Sequence, residues 1–177
     1  MAVLAFRFAT SGDVGRVVSL MESAYRGDTS RAGWTTEADL LGGQRTDAEE
    51  IGDVLGDPKA RMLLCLRDER LIGCVLARLE EGRGYIGMFA VSPTEQGAGV
   101  GKRLLAEAEE TLRRTFGARV AHMTVIRQRE ELIAWYERRG YRRTGETEPF
   151  PSDNPRFGVP RRPDLEFLVM EKPLSTE

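Results

Sequence analysis

Three glycines fall within five residues, at Gly97, Gly99 and Gly101, between a short apolar run and a helical repeat. The run, Tyr85 to Val91, reads Tyr-Ile-Gly-Met-Phe-Ala-Val, as expected of a strand buried on both faces. After the glycines, Val100, Leu104, Leu105, Ala108 and Leu112 recur at helical spacing, and Gly117 follows as a C-terminal cap. A strand, a glycine-rich turn and a helix start together form an anion site. The first helical N–H groups have no intrahelical acceptor, the helix dipole adds partial positive charge, and glycine lets a bulky ligand approach the backbone. Lys102 and Arg103 occupy the first helical turn, where the dipole disfavours cations; they suit a bound polyanion, or they are ordinary solvated side chains.

Two common phosphate motifs are excluded by spacing. In the phosphate loop of nucleotide hydrolases, a glycine stands five residues before the one preceding the lysine, and Ser or Thr follows that lysine; here those positions hold Gln96 and Arg103. The dinucleotide fingerprint requires its third glycine at 102 or 104, which are Lys102 and Leu104.

The pattern that is left is Gln96-x-x-Gly99-x-Gly101 behind a strand ending at Val91. It resembles the coenzyme A pyrophosphate loop of the GNAT superfamily of N-acetyltransferases. The resemblance implies that main-chain N–H groups of Gly97, Ala98, Gly99, Val100, Gly101 and Lys102 cradle the pyrophosphate of acetyl-CoA. It also implies that main-chain groups of Phe89, Ala90 and Val91 hold the pantetheine arm like an added strand and supply the oxyanion donor.

A second stretch, Leu132-Ile-Ala-Trp-Tyr136 followed by Gly140-Tyr141, resembles the superfamily's second motif, a helix with a tyrosine just before a Gly-aromatic pair. By that resemblance Tyr136 is the general acid toward the departing thiolate. A phenol with a pKa of about 10 is protonated at neutral pH and can donate. The plain alternative is a core aromatic with a satisfied hydroxyl. Two positions depart from the pattern. Arg129 stands where many relatives carry an asparagine; it could approach a coenzyme phosphate, but it is expected to face water. No glutamate lies at the start of the central strand to serve as general base, so a water chain or a carboxylate from elsewhere has to take the amine proton.

The chain of 177 residues is expected to form one domain over 1–177, with the coenzyme motif at 85–117 and the second motif at 121–141. It carries 26 basic and 28 acidic residues, which leaves no basic footprint for nucleic acid. No apolar run reaches membrane-spanning length, and the N-terminus lacks a secretory pattern, so a cytoplasmic protein is expected. A single histidine and two unsuitably spaced cysteines predict no metal site. If Glu69-Arg70 turns a two-residue hairpin, Cys65 and Cys74 oppose each other and a disulfide is conceivable; two reduced core thiols are the expected state.

In order, strands are expected at 4–8, 61–67, 71–79, 85–91, 121–126, 141–147 and 165–171. Helices are expected after Thr10-Ser11, over 36–41 capped by Thr35 or Thr36, at 47–55, after Gly99 and at 130–139. Residues 149–163 form a Pro-rich loop. The interleaving predicts an α/β fold with a mixed, mostly antiparallel central sheet and helices on both faces, as in the GNAT superfamily.

Relatives build their acceptor pocket from the segments corresponding to 28–45 and 148–162. An amine would suit an aromatic wall and a carboxylate, which nominates Asp28, Trp34 and Glu37, with Asp39 nearby. Arg45, Arg161 and Arg162 could instead read an acceptor carboxylate or phosphate. The expected activity is transfer of an acetyl group from acetyl-CoA to a primary amine of a small molecule or peptide. A non-catalytic acyl-CoA-binding module is the alternative, and a homodimer is left open.

Overall fold

The computed structural model describes residues 3–151 and 158–175. Its strands and helices run, in chain order, β1 (Leu4–Phe8), α1 (Val14–Tyr25), α2 (Gly27–Ser30), β2 (Leu41–Gly42), α3 (Ala48–Gly56), β3 (Ala60–Arg67), β4 (Arg70–Glu80), β5 (Arg83–Val91), α4 (Val100–Phe116), β6 (Val120–Ile126), α5 (Glu130–Glu137), β7 (Arg142–Pro149), β8 (Val159–Pro160) and β9 (Glu166–Pro173). Seven strands make one sheet in the order β1-β3-β4-β5-β6-β9-β7. Every neighbouring pair is antiparallel except β5–β6. Strand residues alternate between two cores. Leu63, Cys65, Val75 and Ala77 pack with Leu104, Leu105, Ala108 and Leu112 of α4 and Ile133 of α5. Met62, Leu64, Leu66 and Leu76 pack with Val17, Leu20 and Met21 of α1 and Ile51 and Val54 of α3. Helices therefore cover both faces, as the residue periodicity predicts.

The local signals hold at several ends. Thr10 and Asp13 form a capping box ahead of α1, and Asp13 also takes Arg7 and Arg16 as ion-pair partners at 2.8 and 2.6 Å. These hydrogen bonds, that from Arg7 first, hold the Asp13 carboxyl well below the usual carboxylate range. Asp47 caps α3 by accepting from Glu50 N–H. Gly117 ends α4 in the left-handed region, donating to the Arg113 carbonyl. Among the described residues no helix is long and apolar enough to cross a membrane.

Two expectations are corrected. The β3–β4 hairpin turns at Asp68-Glu69, with φ of 50° and 66°, one residue earlier than Glu69-Arg70. With a bulge after Cys65, the register pairs Cys65 with Gly73 and Leu64 with Cys74. A one-residue offset moves a side chain to the other face, so the two cysteines sit in opposite cores and both are free thiols. Burial pushes the Cys74 thiol up to about 12. No helix spans 36–41 either. Leu40 and Leu41 N–H both turn onto the Glu37 carbonyl, and Leu41–Gly42 then pairs with β8. Thr36 Oγ1 accepts from Ala38 N–H, a local turn that competes with helix initiation.

What matters most for the site is where the sheet opens. β5 and β6 run parallel and pair only at Gly84–Ala121 and Tyr85–His122. Beyond Tyr85 the strands part, which exposes one edge of β5 from Ile86 to Val91. On the other edge Ser92 N–H donates to Ile72 O, so Ala90 and Ser92 face β4 and the peptide groups of Phe89 and Val91 turn into the opening.

Candidate active site

Two cavities meet where β5 and β6 part. The first, about 240 Å³, lies between the end of β5, the glycine loop and α5. The second, about 190 Å³, lies between the open edges of β5 and β6. Tyr25, Phe89, Arg129, Leu132 and Tyr136 belong to both walls.

The first cavity collects most of the residues expected at a coenzyme site. Phe89, Ala90, Val91, Gln96, Gly97, Gly99, Gly101 and Lys102 all line it. Ala98 is exposed and does not line the cavity, and the Val100 side chain is buried in the core, 1% exposed. The loop carries φ of +87° at Gly97 and +82° at Gly99, a region that favours glycine. A Cβ at either position would meet nothing within 4 Å, so the concave side is open. α4 starts at Val100 without a side-chain cap, and its first backbone bond runs from Arg103 N–H to Gly99 O. The N–H groups of Val100, Gly101 and Lys102 therefore have no intrahelical acceptor, and the dipole points its positive end at the cavity. Lys102 and Arg139 add cationic side chains to the wall. Arg139 lies flat on Trp135 at 3.7 Å, with its Nε buried and unpartnered among the described residues. Open glycine loop, uncapped helix and cationic rim fit a ligand with phosphates beside an apolar arm. Gln96 has a separate duty. Its Nε2 donates to Val91 O at 3.0 Å, tying the loop to the strand end, and it packs so close to Gly33 that a Cβ there would lie 2.0 Å from Oε1.

Tyr136 stands at the junction. It is 6% exposed and packs edge-on against Phe89, Trp135 and Tyr141. Its hydroxyl has no hydrogen-bond partner among the described residues. Burial raises its pKa above the ordinary phenol value, so the proton is held throughout the neutral range. Across the opening, Tyr25 donates to the Phe89 carbonyl, and burial pushes that phenol up to about 12.

The second cavity has a different character. Among the described residues its wall is apolar except for hydroxyls, three guanidiniums and one carboxylate. Glu37 is buried and accepts from Arg26 on one oxygen and from Arg129 on the other, the latter at 3.2 Å. Arg129 is thus not in water, as its place before α5 suggested; it is 6% exposed and also donates to Thr35 at 2.7 Å. With a guanidinium on each oxygen, the Glu37 charge is already neutralised and offers little to an ammonium. Trp34 lines the first cavity, 6.4 Å from Trp135, whereas Asp28 is fully exposed on α2 and lines neither cavity. Asp39 is bound to Arg31 at the surface. Tyr25, Arg26, Trp135 and Arg139 were not singled out from the sequence. Tyr25 merely extends the apolar stripe of α1, and no spacing rule marks a buried arginine.

Breaking the Glu37 centre has a defined consequence. Glu37→Gln takes away the carboxylate that both guanidiniums donate to, which is expected to cost about 3 kcal/mol of stability. At this chain length, a loss of that size lowers the melting temperature by about 6–12 °C, read by calorimetry; an unchanged transition would mean that Glu37 does not neutralise this wall.

Residues 20–141 match the acetyltransferase (GNAT) family. The chain is 31% identical over 122 residues to an IAA acetyltransferase of Azospirillum brasilense, covering 68% of this chain and 72% of that protein. Among solved structures, it superposes on the ribosomal-protein-S18-alanine N-acetyltransferase of Escherichia coli with a TM-score of 0.71 at 12% identity, over 99% of this chain and 96% of the other. It also superposes on an IAA acetyltransferase of Bacillus cereus with a TM-score of 0.66 at 15% identity, over 97% and 100%.

Proposed function

The chain belongs to the acetyltransferase (GNAT) family, and on that premise we propose that it moves an acetyl group from acetyl-CoA to a primary amine of a small molecule or peptide. One observation carries the reading: the open glycine loop at the uncapped start of α4 and the unpartnered hydroxyl of Tyr136 belong to the walls of one cavity. The loop N–H groups and Lys102 take the pyrophosphate, and the pantetheine arm runs along the open edge of β5 between Phe89 and Val91. The acceptor enters from the second cavity.

In the transfer, the amine nitrogen attacks the thioester carbonyl carbon, and the C–N bond forms as the carbonyl oxygen gains negative charge. An outward main-chain N–H of β5 stabilises that oxygen. The intermediate collapses with cleavage of the C–S bond, and the thiolate takes its proton from Tyr136 Oη. The phenolate is reprotonated by the proton that the amine gives up, through water, since the one carboxylate on the described walls is held by two arginines.

Thermal unfolding with acetyl-CoA, with ATP and NAD as controls, tests the donor. A ligand at about 100 times its dissociation constant adds roughly 2.7 kcal/mol, or about 5–10 °C for a chain of this size. A shift with acetyl-CoA alone is expected; no shift sinks the reading. Amine-dependent thiol release then separates transfer from a binding module without turnover.

A further inference from the structure

Among the described residues, the charged groups on the wall of the second cavity are Arg26, Arg45, Arg129 and Glu37, three cations against one anion. Glu37 is consumed by Arg26 and Arg129. Arg45 is left with little. Among the described residues its guanidinium makes no hydrogen bond, and its nearest carboxylate oxygen, Glu50 Oε1 outside the wall, is 4.0 Å away. It is nonetheless held in place. Arg45 and Thr46 N–H both donate to Glu22 Oε1, at 2.6 and 2.9 Å, and the guanidinium lies 5.0 Å over the Tyr25 ring. Arg129 keeps a buried Nε without a partner, although the rest of its fork is used. Of the other basic residues considered for this role, Arg162 is bound to Asp164 at 2.5 Å, and neither it nor Arg161 lines the cavity.

The Arg45 side chain is only 22% exposed, and a guanidinium largely withdrawn from water favours a bound anion. An ammonium alone is repelled by such a wall, whereas a molecule that brings its own anion is attracted. Met88, Met123, Leu132 and Phe167 surround the charges with apolar surface. We infer that the second cavity is an anion-reading acceptor subsite. It takes a primary amine that carries a carboxylate or phosphate-type group on an apolar body, with Arg45 holding that anion. Only the amine half of this statement rests on the acetyl-transfer reading. The same positive wall favours the neutral, nucleophilic form of the amine, which suits a cavity whose carboxylate is unavailable as a base.

The test compares matched acceptors with acetyl-CoA: phenylalanine, its phosphonate analogue and phenethylamine. The kcat/KM for at least one anionic member is expected to exceed that for phenethylamine by about 10- to 100-fold, the worth of a charge-assisted hydrogen bond; which one leads identifies carboxylate or phosphate. Arg45→Gln is expected to collapse that ratio toward one, and Arg162→Gln to leave it in place. Phenethylamine equal to or better than both anionic acceptors overturns the subsite. Titrating N-acetylphenylalanine and N-acetylphenethylamine into the protein, with and without coenzyme A, reads the preference without turnover. If no amine is acetylated but the anionic compound binds at least tenfold tighter in an Arg45-dependent way, the subsite stands and acetyl transfer falls. Without turnover, equal binding or none by either compound overturns the subsite.

Discussion

Tyr136→Phe is expected to lower kcat for amine acetylation by about 100-fold while the dissociation constant for acetyl-CoA stays within about twofold. The ring contacts with Phe89, Trp135 and Tyr141 are made by the aromatic face and edge and survive in phenylalanine. What disappears is a hydroxyl without a partner among the described residues, so stability is expected to change little. A loss in kcat with coenzyme binding intact is the signature of a group that acts only as the C–S bond breaks. Because burial raises the Tyr136 pKa, wild-type activity is not expected to fall through loss of this proton anywhere in the neutral range; loss through it begins only above the ordinary phenol value. Single-turnover acetylation at saturating acetyl-CoA is the direct measurement, and a variant as fast as wild type removes the general-acid role from Tyr136.

Gly99→Glu is expected to abolish coenzyme binding, raising the dissociation constant at least 100-fold. The position combines two demands. Its φ of +82° disfavours any L side chain, and the residue lines the cavity with no atom within 4 Å of an added Cβ. A carboxylate at the uncapped start of α4 would satisfy the free N–H groups and the dipole, in competition with the pyrophosphate. The fold itself should tolerate it, because a non-glycine residue in the left-handed region costs only about 1–2 kcal/mol. Gly99→Ala isolates that backbone cost, since its methyl group meets nothing within 4 Å. The alanine variant is expected to melt lower yet keep most of its acetyl-CoA stabilisation, while the glutamate variant keeps none. Equal coenzyme shifts in the two would mean that the loop does not hold the phosphates.

Much of the site was legible because its chemistry is local. The strand, the glycine turn and the start of α4 are contiguous, and each is marked by its own period or backbone requirement; Phe89 to Val91, Gln96, Gly97, Gly99, Gly101 and Lys102 line one cavity for that reason. Tyr136 was nominated by the resemblance of its helix and the following Gly140-Tyr141 to the second motif of the GNAT superfamily. The acceptor side was not legible in the same way. Asp28 and Glu37 look alike as isolated acidic residues, yet one is fully exposed and the other is buried between two arginines. The ion pair of Glu37 with Arg129 joins residues 92 positions apart, and no period or spacing in the chain encodes such a meeting.

By itself the amino-acid sequence determined the longer strands of the central sheet, the helices α1, α3, α4 and α5, the two-sided burial of the central strand, and the ends at Thr10 and Gly117. These depend on side-chain period and on backbone freedom over a few residues. Only the tertiary structure decided the rest. It set the β3–β4 register that sends Cys65 and Cys74 to opposite cores, since the turn and one bulge fix it together. It parted β5 from β6 after Tyr85, which opened the cavities. It turned Arg129 inward, because burial of Glu37 supplied the charge that a buried guanidinium requires. Register, strand separation and charge pairing are settled by free-energy balances among residues distant in the chain, and those balances exist only once the chain has folded.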